Sequence, residues 1–288
     1  MIKFGPSGTD VAFAAAGYTR TTEVPEFIRS NGLDIFEYSF GRGVRITPET
    51  ARKIGESFRQ KEIGISVHAP YYINFAGVDP VKLRATFDYL FASLDALRFF
   101  GGNRVVFHPG SPLGSDRGDA MQRLMGAMQL FLEEFYQRGY DDLLLCPETM
   151  GKINQLGDLE EIIRITKLSE NLIPCVDFGH LNARTHGSLK GKEDYRRVLD
   201  TLIEGVGEEK VKKMHIHFSK IEYGAGGEVR HLTFEDQTYG PEFEPLAELL
   251  FEYQMEPWVL SESAGTQSLD AKTMKNLYFK QCEPPNGK

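Results

Sequence analysis

Short apolar runs alternate with longer stretches of helical periodicity along the whole chain. The runs predict strands over residues 2–5, 34–40, 65–69, 104–108, 142–147, 173–177, 213–218 and 257–262. Between them, apolar residues recur at helical spacing. In the stretch 80–100 these are Leu83, Phe87, Leu90, Phe91, Leu94 and Leu97. The stretch 47–59 opens Thr-Pro-Glu-Thr, an N-cap residue followed by proline in the first turn. Residues 120–137, 158–166, 192–203, 242–253 and 270–278 also read as helices. Eight strands alternating with helices predict an α/β fold, a closed parallel (β/α)8 TIM barrel. An open doubly wound sheet is the competing arrangement. It carries a glycine-rich phosphate loop after its first strand. Here that strand leads into Gly5-Pro6-Ser7-Gly8-Thr9, with neither GxGxxG nor a P-loop lysine.

Composition narrows the picture. A length of 288 residues suits one barrel domain, 1–288, since such barrels run to about 250 residues. Hydrophobic residues make up 41%, enough for a large core. A net charge of −8 excludes a protein that coats nucleic acid by bulk attraction. A local basic rim remains compatible with it, and the loops after the strands hold Arg42, Arg45, Lys152, Arg184, Lys190, Lys220 and Arg230. Cys146, Cys175 and Cys282 show no CxxC spacing. They read as reduced thiols of an intracellular protein, with Cys146 and Cys175 buried inside strands. The N-terminus lacks a signal pattern, and apolar runs fall short of the ~20 residues of a membrane span. A cytoplasmic protein without membrane contact is expected.

The chemistry collects at strand ends, where a barrel of this kind keeps its active site. Glu37 lies on the second strand. The third ends at His68, the fourth at His108, the fifth at Glu148, and the sixth at Asp177 with His180 just beyond. The seventh carries His215 and His217, the eighth Glu262, and His231 follows the seventh. Six of the seven histidines therefore sit at or just past strand ends. His186 is the exception and reads as a surface or substrate-loop residue. Imidazoles mixed with carboxylates suit a divalent ion, with zinc favoured and manganese or iron compatible. A carboxylate between two ions can bridge them, and clustered ions are a recurring device for phosphodiester hydrolysis.

The motifs His68-Ala69-Pro70-Tyr71-Tyr72-Ile73-Asn74, Val106-Phe107-His108-Pro109-Gly110-Ser111 and Pro147-Glu148-Thr149 carry a family resemblance. So do Val176-Asp177-Phe178-Gly179-His180, Met214-His215 with Ser219-Lys220, Arg230-His231 and Leu260-Ser261-Glu262. In order and spacing they resemble endonuclease IV, the zinc-dependent apurinic/apyrimidinic endonuclease of the xylose isomerase-like barrels. The resemblance implies two or three Zn2+ ions. His68 and His108 would bind one, with Glu148 bridging to a second completed by Asp177, His215 and Glu262. His180 and His231 would bind the third. The family places an Asp two residues before the last histidine, where this chain has Val229. Its neighbour Glu228 is the substitute on hand. His217 stands where the family has Asn, and is an extra ligand or a supporting residue. Glu37 is a supporting partner for a ligating histidine.

The resemblance implies cleavage of DNA on the 5′ side of abasic sites, with Glu148 as the catalytic bridge. Tyr71 and Tyr72 match the loop that family members press into DNA; packing beneath that loop is the alternative. Arg42, Lys220 and Arg230 are the substrate-binding candidates. A metal-dependent sugar isomerase or epimerase on the same barrel is the competing function. It would work on a small sugar with one or two ions, using Glu148 and Glu262, with Glu37 in reserve, for proton transfer. The third metal set discriminates the two.

Overall fold

The structure, a computed structural model, describes residues 1–282; residues 283–288 of the expected domain lie outside the described residues. In chain order, β1 (Lys3–Pro6), α1 (Val11–Ala15) and α2 (Val24–Ser30) precede β2 (Ile35–Ser39). Then come α3 (Pro48–Gln60), β3 (Gly64–His68), α4 (Pro80–Phe100), β4 (Arg104–Phe107), α5 (Arg117–Gln137) and β5 (Leu144–Pro147). The chain continues through α6 (Leu159–Thr166), β6 (Cys175–Asp177), α7 (Phe178–Arg184), α8 (Lys192–Val206), α9 (Glu208–Lys212) and β7 (His215–Phe218). A hairpin of β8 (Ile221–Gly224) and β9 (Gly227–His231) follows, then α10 (Glu244–Glu252), β10 (Trp258–Ser261) and α11 (Gln267–Gln281).

Two parallel four-stranded arcs, β2-β3-β4-β5 and β1-β10-β7-β6, form the wall. Parallel bridges Ser7–Glu37 and Glu148–Cys175 join them, one at each seam. The result is the expected eight-stranded barrel, with β10 as its eighth strand. Each segment read as a strand overlaps a barrel strand, shifted or trimmed by at most two residues. At the first seam Gly5 lets β1 approach β2: a Cβ there would stand 1.8 Å from the Ile35 carbonyl oxygen. Several helices start on side-chain caps, as the sequence predicts for α3 at Thr47. Asp79 caps α4, and Asp158 caps α6 in a reciprocal box with Glu161.

Strand alternation sorts side chains between two compartments. Outward residues such as Val67, Val105, Phe107, Leu145, Val176, Ile216 and Val259 join the helices in the main core. Inward residues fill the barrel. Val106, Cys146, Ile173 and Cys175 form a separate apolar cluster there. Arg104 is buried, with its guanidinium 4.7 Å from the Trp258 ring. The same inward parity carries upward to the C-terminal rim: Arg104, Val106 and His108 on β4 and its extension, Cys146 and Glu148 on β5, Cys175 and Asp177 on β6. Chemistry thus sits on top of a packed plug rather than over a pore. No helix of the described residues is long and apolar enough to cross a membrane.

Candidate metal centre

Glu148 follows directly on β5 and is fully buried at the centre of the rim. Its two oxygens face different partners. Oε2 lies 3.1 Å from His68 Nε2 and 3.1 Å from His108 Nε2. Oε1 lies 2.9 Å from His217 Nδ1. Burial pushes this carboxyl up, but the facing His217, His108 and His68 more than reverse that and hold it well below its usual range. It is a carboxylate, placed between two groups of donors. One is His68, His108 and Glu148; the other is Glu148, Asp177, His217 and Glu262. Within each, the donor atoms lie within 4.8 Å of one another.

Asp177 ends β6 and starts α7. Its Oδ1 accepts a hydrogen bond from the His180 backbone N–H at 2.8 Å, capping the helix. Its Oδ2 is buried and has no hydrogen-bond partner. Burial raises its pKa to about 6, and the neighbouring Glu262 and Glu148 charges add to this against the pull of His180. A buried carboxylate oxygen with no donor, crowded by other carboxylates, marks a place for a cation.

The third group is His180, Glu228 and His231. His180 turns its Nδ1 to the Thr149 carbonyl at 2.9 Å, which leaves Nε2 facing Glu228 Oε2 at 3.5 Å. His231 uses Nδ1 on Ser219 Oγ at 2.8 Å. His68 uses Nδ1 on the Ala69 carbonyl at 2.9 Å. Each imidazole is thereby fixed with its other nitrogen, Nε2, turned away from that backbone or hydroxyl partner, and that of His68 meets Glu148. His68 and His180 are both held up near a pKa of about 9: burial lowers them, and the surrounding carboxylates more than compensate. An ion bound here would displace those protons.

A β-bulge explains Glu228. In the hairpin, His231 pairs with Ile221 and Arg230 with Glu222, but Tyr223 pairs with Glu228. Val229 is the extra residue, and it is exposed. Ile221 and Tyr223 share a face, so the bulge brings Glu228 onto the face of His231 although two residues lie between them. Without it, Val229 would occupy that position. The hairpin is not among the strands expected from sequence. Its signal is present, since Gly224-Ala225-Gly226-Gly227 between alternating residues is a two-residue hairpin turn.

His215 departs from expectation. Both His215 and His217 point into the barrel, but His217 lies one pleat nearer the rim. His217 joins Glu148, Asp177 and Glu262; His215 does not. His215 Nε2 instead lies 3.1 Å from Glu37 Oε2. Burial drives its pKa down to about 4, with Glu37 offsetting only part, so it is neutral. Glu37 also lies 2.9 Å from His217 Nε2 and accepts hydrogen bonds from Ser7 and Ser66. With Nε2 on the Glu37 side, His217 presents Nδ1 to the donors above. Cys175, His215 and His217 form a further close group. Burial, with help from nearby carboxylates, pushes the Cys175 thiol well up, so without an ion beside it the thiol is neutral. An expected outcome follows. His217→Gln loses an ion that His215→Gln retains, measured as metal content per chain.

Six of the donors, His68, His108, His180, Glu228, His231 and Glu262, line a cavity of about 400 Å³. Ser7, Tyr71, Lys152 and Gln155 share its wall. Tyr71 and Tyr72 do not pack beneath their loop. They are exposed, with ring centroids 4.2 Å apart. Arg42 is exposed and lies outside the cavity lining. Lys220 is no free cation: it is buried, 2.7 Å from Glu242 and bonded to the Asp236 carbonyl. Arg230 pairs with Glu222 on the hairpin face opposite His231. His186 is exposed after α7, with φ of 53°.

Residues 25–278 match the family model described as the xylose isomerase-like TIM barrel. The chain belongs to this family. Within the xylose isomerase-like barrels, an uncharacterized protein of Methanocaldococcus jannaschii is 31% identical over 239 residues, covering 83% of this chain and 84% of that protein. A probable endonuclease 4 of Mycoplasma pneumoniae is 26% identical over 203 residues, or 67% of this chain and 68% of its own. Further relatives of that name are matched over little more than half their length. Among solved structures, endonuclease IV from Thermus thermophilus superposes with a TM-score of 0.67 at 18% identity, covering 91% of this chain and 94% of its own. A D-tagatose 3-epimerase-like protein gives 0.67 at 20%, covering 88% and 91%. These barrels share the fold, and the fold alone does not choose between endonuclease and epimerase.

Proposed function

We propose that this chain is a metal-dependent phosphodiesterase of the endonuclease IV type, which cuts DNA on the 5′ side of abasic sites. The observation that carries this reading is the third donor group. His180, Glu228 and His231 adjoin the two groups that share Glu148. A sugar isomerase or epimerase needs one or two ions and has no use for a third set. The sequence similarity to proteins named endonuclease 4 supports the same reading.

His68, His108 and Glu148 would hold one ion, Glu148, Asp177, His217 and Glu262 a second, and His180, Glu228 and His231 a third. Zinc suits the mixture of imidazole and carboxylate, and the orphan Asp177 Oδ2 fits a cation. Bound divalent ions supply positive charge against an anionic phosphodiester and acidify a water. The chain's own work is orientation. Thr149, Ala69, Ser219 and Glu37 hold the imidazoles, and the exposed Tyr71–Tyr72 pair offers aromatic faces to an opened helix at the cavity edge.

The test is nicking of a duplex with one abasic site by metal-loaded protein. Metal-dependent cuts on the 5′ side of that site are expected. Turnover of a ketose with no nicking would overturn the reading and favour the epimerase.

A further inference from the structure

We propose that Lys152 forms an oxyanion subsite at the rim of the metal cavity and takes a phosphate of the substrate. The inference deepens the phosphodiesterase reading and rests on it for the identity of the anion. Among the described lysines and arginines, only Lys152 lines this cavity. The cations expected at the site are occupied or elsewhere: Lys220 is tied to Glu242 and Arg230 to Glu222, whereas Lys152 makes no ion pair among the described residues.

The backbone beneath Lys152 is fixed. Arg184 donates to the carbonyls of Met150, Lys152, Ile153 and Gln155. Arg117 donates to those of Ile153 and Gln155. The two guanidiniums are spent on shaping the loop and leave the lysine as its free charge. On the other side the loop pairs with the hairpin: Lys152 bridges Gly227, and Glu228 N–H donates to the Gly151 carbonyl at 3.1 Å. Lys152 is thus built into the wall beside the third donor group. Lys152 lines the same cavity of about 400 Å³ as six of the donors, so a tetrahedral oxyanion at those donors would share that cavity with its ammonium. A charged donor on a phosphate strengthens binding and makes it salt-dependent.

The experiment measures inorganic phosphate binding to metal-loaded wild type, Lys152→Ala and Lys152→Arg by calorimetry, and abasic-duplex binding across salt concentrations. Phosphate affinity should fall roughly tenfold in Lys152→Ala and be largely kept in Lys152→Arg. The salt slope for DNA should drop by about one. Metal content should be equal in all three proteins. Equal phosphate affinity in wild type and Lys152→Ala overturns the assignment, as does a loss that merely tracks lost metal. If wild type nicks no abasic DNA while Lys152→Ala still loses phosphate, the subsite stands and the nuclease reading fails.

Discussion

Replacing Glu148 by glutamine should abolish metal-dependent activity and remove the first two ions while leaving the third. Glutamine keeps the shape and loses the charge. Glu148 puts one oxygen 3.1 Å from both His68 and His108 and the other 2.9 Å from His217. No other side chain belongs to both of those donor groups. Once it is neutral, His68 and His108 are left as a two-residue set, and Asp177, His217 and Glu262 lose the partner that joins them to it. A residue that only supports a ligand typically costs 10–100-fold; loss of a shared ligand should cost roughly a thousandfold or more. His180, Glu228 and His231 do not include Glu148 and should keep their ion. Elemental analysis beside the nicking rate checks this. Full metal content with unchanged rate would refute the bridging role.

Gly227→Ala should do the reverse, removing the third ion and sparing the first two. Gly227 has φ of +87°, a region that alanine enters at a cost. Its Cβ would stand 2.2 Å from the Gly151 carbonyl oxygen. That Cβ would meet a backbone oxygen, so no side chain can swing aside. The hairpin must lift from the loop, breaking the bonds from Ile153 N–H to the Gly226 carbonyl and from Glu228 N–H to the Gly151 carbonyl. Glu228 and His231 ride on that hairpin. The expected results are a stability loss of roughly 2–4 kcal/mol and at least a ~100-fold fall in activity. Thermal melting and metal content measure both. A variant with wild-type metal content and stability would show that the hairpin does not depend on this glycine.

The barrel is legible in the sequence because period-two and period-3.6 patterns alternate cleanly, and Thr47, Asp79 and Asp158 mark helix starts. Most of the donor set is legible because a barrel strand delivers its last inward side chain to one rim. Register is what the pattern does not carry. His215 and His217 have the same parity, so alternation alone cannot say which reaches the rim; the stagger of β7 against β6, pairing Asp177 with His217, decides it. Glu228 is named by the sequence as the neighbour of Val229, but what puts it on the face of His231 is the bulge in the pairing of β9 with β8, which no linear pattern carries. α7 escapes notice because nearly all its residues are buried, so it has no polar face to create a period. Lys220 and Arg230 look like phosphate binders in a linear sequence, and only the fold brings Glu242 and Glu222 to them.

Three adjoining donor groups contribute residues to one cavity. The most direct measurement is the number of divalent ions bound per chain, by elemental mass spectrometry on protein loaded with zinc and dialysed free of excess. The proposed function predicts three ions, falling to two in a His231→Ala protein that remains folded. One or two ions in the wild type, unchanged by His231→Ala, would contradict it.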